Sequence, residues 1–291
     1  MDLRAIAMGL VFAFAWSSAF TSARIIVAYA PPITTLGLRF LISGLLALLI
    51  AWALGQSFRL TRAQARATLV FGICQNALYL GLNFVAMQWI EASLAAIIAS
   101  TMPLIVALAS WLVFREKLPP LGIVGLMAGV LGAVLIMGSR LEQGVDLTGV
   151  AFCIVGVIAL AVATLTVRGA SSGGNLLVVV GYQMFVGSAI LAVIGLATEP
   201  LTFTPSWQLL GAFVYTTLVP GLAATWIWFA LVGRIGATRA ATFHFLNPVF
   251  GVAVAAALLG EQLRLIDVVG VGIVTFGILA VQLARRQTKP A

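Results

Sequence analysis

Apolar residues fall into ten blocks along the chain, and polar residues collect in the short gaps between them. A helix needs about 20 apolar residues to cross a bilayer. On that measure the blocks predict ten spans, at roughly 5–28, 33–54, 67–88, 92–114, 119–138, 148–167, 175–197, 208–231, 237–259 and 266–284. Pro31-Pro32, Pro119-Pro120 and Ser171-Ser172-Gly173-Gly174 punctuate the connections, which are too short to hold a soluble domain.

One block occurs twice. Residues 92–137 align without a gap on 237–282 at an offset of 145, which places Pro103 on Pro248, Glu116 on Glu261, Leu118 on Leu263, Gly125 on Gly270 and Gly132 on Gly277. Each copy has a proline in the middle of a long apolar stretch, so the two halves carry matched helix breaks. Such breaks in corresponding segments are the best sequence pointer to a transporter's binding site.

Composition agrees with lipid as the main solvent. Hydrophobic residues make up 62% of the 291, charged residues 8%, and the mean hydropathy is +1.15. Cys74 and Cys153 lie within apolar runs and read as small buried hydrophobes, so neither a disulfide nor a metal site is expected. The apolar stretch after Met-Asp-Leu-Arg has no convincing small-residue cleavage site and reads as a retained span.

The net charge of +8 sets orientation and does not suggest nucleic acid. With the N-terminus cytoplasmic, Arg4, Arg59, Arg62, Arg66, Arg115, Lys117, Arg168, Arg234, Arg239, Arg285, Arg286 and Lys289 all fall inside, against Arg140 and Arg264 outside. Both termini are then cytoplasmic. Glu91, Glu142, Asp146, Glu199, Glu261 and Asp267 fall in the outer gaps. Five spans per half is an odd number, so the second half must enter the membrane inverted. The expected fold is an all-α integral membrane protein, with two inverted five-helix repeats at 1–140 and 146–291 around a central cavity.

The segment from Ser93 to Leu118, with Pro103 mid-helix and Glu116 thirteen residues later, resembles the signature of the EamA-type drug/metabolite transporters. So does its copy from Thr238 to Leu263. Leu38-Arg39-Phe40 and the run Trp16-Ser17-Ser18-Ala19-Phe20 are similar to that family too. The resemblance covers the whole chain and implies a helical exporter of the bacterial inner membrane. Its aromatic-rich interior looks most like the subgroup exporting aromatic and other neutral amino acids.

The polar residues suggest where a substrate sits. Pro103 and Pro248 cannot bond the carbonyls of Ala99 and His244, which frees backbone polarity near mid-membrane and makes both prolines candidate hinges. His244, Asn247 and Gly251 share one face, as do Asn76, Tyr79 and Asn83. Each face either touches substrate or packs against a neighbouring helix, where polar side chains act as glue. His244, the single histidine, is a functional candidate by its depth, or else a neutral imidazole satisfied by its neighbours. Trp16, Trp226 and Phe243 are the candidate apolar walls, while Trp89 reads as an interfacial anchor.

Ser17, Thr21 and Arg24 share a face of the first span, and Arg39 opens the second. Both arginines are expected to snorkel to the outer interface, with a substrate carboxylate as the alternative partner. Gly122, Gly125, Gly129 and Gly132 in span five, with Gly270, Gly272 and Gly277 in span ten, read as scaffold or as a homodimer surface. Glu116 and Glu261 suit capping or loop salt bridges.

No carboxylate lies deep within a span, so the usual proton relay or Na⁺ site is missing. No phosphate-binding glycine loop, Cys/His cluster or nucleophile motif appears, so no cofactor, ATP coupling or enzyme activity is expected. The expected partners are a small-molecule substrate and membrane lipid. The function read from the sequence is export of small neutral, aromatic or hydrophobic amino acids by alternating access, through facilitated diffusion or exchange. The alternative is a multidrug or cationic-compound exporter on the same scaffold.

Overall fold

Backbone groups in hydrocarbon must bond within their own segment, which leaves helices or closed barrels as spanning structures. The computed structural model describes residues 3–113, 115, 119–142, 144–166, 175–235, 240 and 242–287. Among these there is no strand. Nine helices among the described residues are long and apolar enough to cross a membrane. They are α1 (Leu3–Val27), α2 (Pro32–Ala53), α3 (Arg62–Ala86), α4 (Ala92–Leu112), α5 (Pro120–Glu142), α6 (Leu147–Thr166), α7 (Leu176–Thr198), α8 (207–235) and, after a shorter apolar helix α9 (Phe243–Leu259), α10 (Leu265–Gln287). Of the expected features, Glu116, Lys117, Leu118, Arg168, Ser171–Gly174, Ala237, Thr238, Arg239 and Lys289 lie outside the described residues.

The helices form two compact units. Unit 1 contains 1–21, 89–150 and 223–291, and unit 2 contains 22–88 and 151–222, so each draws on both sequence halves.

In unit 1, α5 packs against α10 through glycines. A methyl group built on Gly277 would stand 2.6 Å from Gly125 O, and one on Gly132 would stand 2.9 Å from Gly270 O. Close backbone approach of this kind replaces the hydrophobic drive that lipid removes. The stripe read as scaffold or dimer surface is therefore engaged inside the chain, although Gly272 faces open space. Arg140, buried at the end of α5, pairs with Glu91 and, at 3.2 Å, with Asp267 in the first turn of α10. Glu261 does act as a cap: its carboxylate accepts from Ala92 N–H at 2.8 Å and Ser93 N–H at 3.0 Å. Four unbonded N–H groups and a positive dipole end make a helix start a good seat for an anion.

In unit 2, α2 packs along α7 through Gly44 and Gly181, where a methyl on either would stand 3.2 Å from the carbonyl oxygen of the other. Glu199 caps α2, accepting from Ile33 N–H and Thr34 N–H at 2.8 Å each. Helix α3 starts at Arg62, five residues ahead of expectation. Thr61 and Gln64 form a reciprocal cap there, with Gln64 N–H donating to Thr61 Oγ1 at 3.2 Å and Thr61 N–H to Gln64 Oε1 at 3.0 Å. Polar Arg62 and Arg66 thus extend the helix beyond its apolar run.

Both prolines break their helices at the same place. Helix α4 stops at Ser100 and restarts at Met102, with Thr101 at φ −74° and ψ −9°. In α9 a 3-10 turn over Thr242–Leu246 gives way to α-helix at Asn247, with Leu246 at φ −84° and ψ −12°. Thr101 and Leu246 are 145 residues apart, the offset of the sequence repeat. Each proline is the second residue of the new segment, where its missing N–H goes unneeded. A further repeated irregularity has no obvious signal in the sequence. π-helical turns run over Gly72–Leu80 in α3 and Thr217–Ala223 in α8, and they begin 145 residues apart.

Candidate functional site

In unit 1 the break in α9 carries the site. Asn247 Nδ2 lies 3.0 Å from His244 Nδ1. With the amide donating, His244 Nδ1 accepts and the ring proton sits on Nε2. The His244 ring is held between two aromatics: edge-on to Phe12 with centroids 5.2 Å apart, and tilted against Trp228 at 5.1 Å. Phe12 also packs on Trp228 at 4.9 Å and on Trp16, one turn along α1, at 5.8 Å. Phe243 is buried behind this group in a cluster with Ala5, Leu231 and Ala240, against which Trp228 also packs. The imidazole is thus fixed by packing, and it fixes the Asn247 amide in turn.

That amide leaves a polar atom free. Asn247 Oδ1 is buried with no hydrogen-bond partner, as are the hydroxyls of Ser17 and Thr21 on α1 and of Ser93 on α4. A methyl on Gly251 would stand 2.6 Å from Ala96 Cβ and 4.0 Å from Ser17 Cβ, so α9 meets both α4 and α1 one turn below Asn247. Unit 1 therefore joins an aromatic wall to a set of unsatisfied acceptors and hydroxyls. Buried polar groups without partners are rare and demand an explanation.

In unit 2 the amides of α3 are occupied. Asn76 Nδ2 donates to Gln183 O of α7 at 2.9 Å. Asn83 Nδ2 donates to Tyr79 O at 2.8 Å, and Asn83 Oδ1 accepts from Cys153 Sγ of α6 at 3.3 Å. Asn76, Tyr79 and Asn83 are all buried, but Asn76 and Asn83 address different helices. The single face expected at i, i+3 and i+7 is broken because Asn76 and Tyr79 lie within the π-helical turn, whose extra residue rotates the remainder of the helix.

The structure revises three further expectations. Trp226 is 66% exposed and makes no contact with the ring cluster; Trp228, two residues on, takes that place, and Phe12 joins it. Phe12 was detectable in the sequence, since it lies one turn before Trp16 on the same face of α1. Arg39 does not snorkel: it is 6% exposed. Arg24 is half-buried, and its Nη1 donates to Met87 O.

Comparison with known proteins bears on what such a site serves. The EamA-like transporter family matches residues 3–138 and again residues 147–283. The uncharacterized transporter YvbV of Bacillus subtilis is 25% identical over 284 residues, covering 95% of this chain and 90% of its own. The uncharacterized inner membrane transporter YedA of Escherichia coli is 27% identical over 278 residues, covering 93% and 88%. A solved crystal structure superposes with a TM-score of 0.69 over 99% of this chain and all of that one, at 21% identity, which shows a shared fold. With both halves matched and multiple membrane spans in place, this chain is a membrane transporter that belongs to the EamA-like transporter family.

Proposed function

We propose that the protein exports small neutral amino acids, aromatic or hydrophobic in side chain, across the inner membrane by alternating access. The observation that carries this reading is Asn247: a carbonyl oxygen without a partner, held in place by His244, whose ring lies against Phe12 and Trp228 with Trp16 packed on Phe12. An ammonium group donates to Asn247 Oδ1, and an apolar or aromatic side chain lies against the rings. His244 is a positioning residue here. Asn76, Tyr79 and Asn83 hold α3 against α6 and α7, and Phe243 backs the wall.

The proposed architecture has ten spans in two inverted five-helix repeats, 1–140 and 146–291, with both termini cytoplasmic. Matched backbone geometry at Thr101 and Leu246 supports the repeat. Twelve basic residues against two across the predicted gaps support the orientation. Pro103 and Pro248 are the hinges. The described spans hold no acid deep within them that could relay protons, which favours facilitated diffusion or exchange over proton antiport.

Counterflow in proteoliposomes tests the reading. External tryptophan, phenylalanine or methionine should accelerate release of the same labelled compound, and lysine and methyl viologen should not. Stimulation by methyl viologen without any by amino acids would replace this reading with the cationic-compound exporter. Uphill flux driven by a pH gradient would overturn the uncoupled mechanism.

A further inference from the structure

The π-helical turn of α8 contains Pro220 and Gly221, and the side chain of Arg39 from α2 lies beside Gly221. A methyl on Gly221 would stand 3.3 Å from Arg39 Nη2 and 3.6 Å from Ser43 Oγ. Ser43 is one turn after Arg39 and fully buried. Arg39 Nε and Ser43 Oγ are both buried without a hydrogen-bond partner, and among the described residues no carboxylate pairs with Arg39. Arg140, also buried, has two acids. A guanidinium stays charged in a protein, and a buried charge is kept only where something compensates it.

The repeat shows how this position was left open. Ser188 Oγ donates to Gly37 O, and Gly44 meets Gly181. A shift of 144 residues converts either pair into the other, and it sets Arg39 on Gln183. The offset of 145 that relates the two π-helical turns sets Gly221 on Asn76. The pair Asn76–Gln183, in which Asn76 Nδ2 donates to the backbone carbonyl of Gln183 at 2.9 Å, therefore corresponds to the pair Gly221–Arg39. Gly221 carries no side chain at the position of Asn76, which leaves room for the guanidinium; its Cζ lies over the Phe40 ring, 5.0 Å from the centroid, and Nε keeps no hydrogen-bond partner.

We propose that Arg39 and Ser43 form a subsite for a single carboxylate, so that the solutes this protein exports carry one. The guanidinium receives the carboxylate through Nε and Nη2 as a two-pronged donor, and Ser43 Oγ–H adds a third bond. One cation suits a monoanion, whereas a phosphate dianion would need a second. This inference rests on the reading of the chain as a solute exporter and names the anionic group of its solutes.

Counterflow of labelled phenylalanine, competed by phenylalaninamide, phenethylamine and 3-phenylpropionate, tests it in wild type, Arg39→Gln, Arg39→Lys and Ser43→Ala. Wild type should prefer the two carboxylates by about tenfold or more over the amide and amine, because unanswered donors penalise a solute lacking the acceptor. Arg39→Gln should lose that preference, Arg39→Lys should keep part of it, and Ser43→Ala should raise KM by about threefold. Wild-type KM in Arg39→Gln, or equal competition by the amide in wild type, would overturn the subsite. Where Arg39→Gln does not fold in detergent, the preferences of Arg39→Lys and Ser43→Ala decide. If phenylalanine is not carried at all, the amino-acid reading fails separately. Labelled 3-phenylpropionate, benzoate and lactate then decide: any flux that Ser43→Ala or Arg39→Lys weakens sustains the subsite, and no carboxylate flux sinks it.

Discussion

Asn247 and His244 bond across the break in α9, with Nδ2 of one 3.0 Å from Nδ1 of the other. The imidazole belongs to the 3-10 turn and the amide opens the α-helix, so one bond joins the two sides of the break. Asn247→Ala should raise KM for phenylalanine by about tenfold, the loss of one hydrogen bond to a charged group. His244→Ala should cost nearly as much by releasing the amide, and the double variant should add little to either. Fully additive effects in counterflow kinetics would show that His244 contacts substrate independently.

The aromatic wall makes two nearby tryptophans unequal. Trp228→Ala removes contacts with both Phe12 and His244 and should lower kcat/KM by about tenfold. Trp226→Ala, at an exposed position, should stay within about twofold of wild type. The reverse order would move the site to the other face of α8.

Packing of α5 on α10 should tolerate no side chain at Gly277. Gly277→Val puts carbon 2.6 Å from Gly125 O and should destabilise the protein by about 2 kcal/mol or more in detergent unfolding. Gly272→Ala, with nothing within 4 Å, should unfold at or slightly above the wild-type temperature. Equal behaviour of the two would contradict the described packing.

Arg140 shows what a buried arginine with partners does. Arg140→Ala leaves Asp267, itself 1% exposed, as an uncompensated charge, at a cost of about 3–5 kcal/mol. Arg140→Met combined with Asp267→Leu should recover most of that loss. Failure of the double variant to exceed Arg140→Ala in thermal unfolding would show that the ion pair is not the source of the cost.

Much of this fold was legible in the sequence because lipid enforces long apolar runs, and a repeated proline must break a helix twice. Pro103 and Pro248 gave away both breaks to within two residues. The π-helical turns were not legible, since Gly72–Leu80 holds no proline and helical periodicity assumes 3.6 residues per turn throughout. Their extra residue turns Asn76 and Asn83 away from a common face. Arg39 misled for a different reason. Proximity to a span end suggested snorkelling, but Gly221 opens a space that only the folded arrangement reveals.

Exchange of amino acids at the Asn247 site is tested most directly by counterflow in proteoliposomes loaded with labelled phenylalanine. External unlabelled phenylalanine should accelerate release saturably in wild type, and Asn247→Ala should need about tenfold more of it for the same effect. Release that no external amino acid accelerates, or that rises linearly without saturation, would contradict the account.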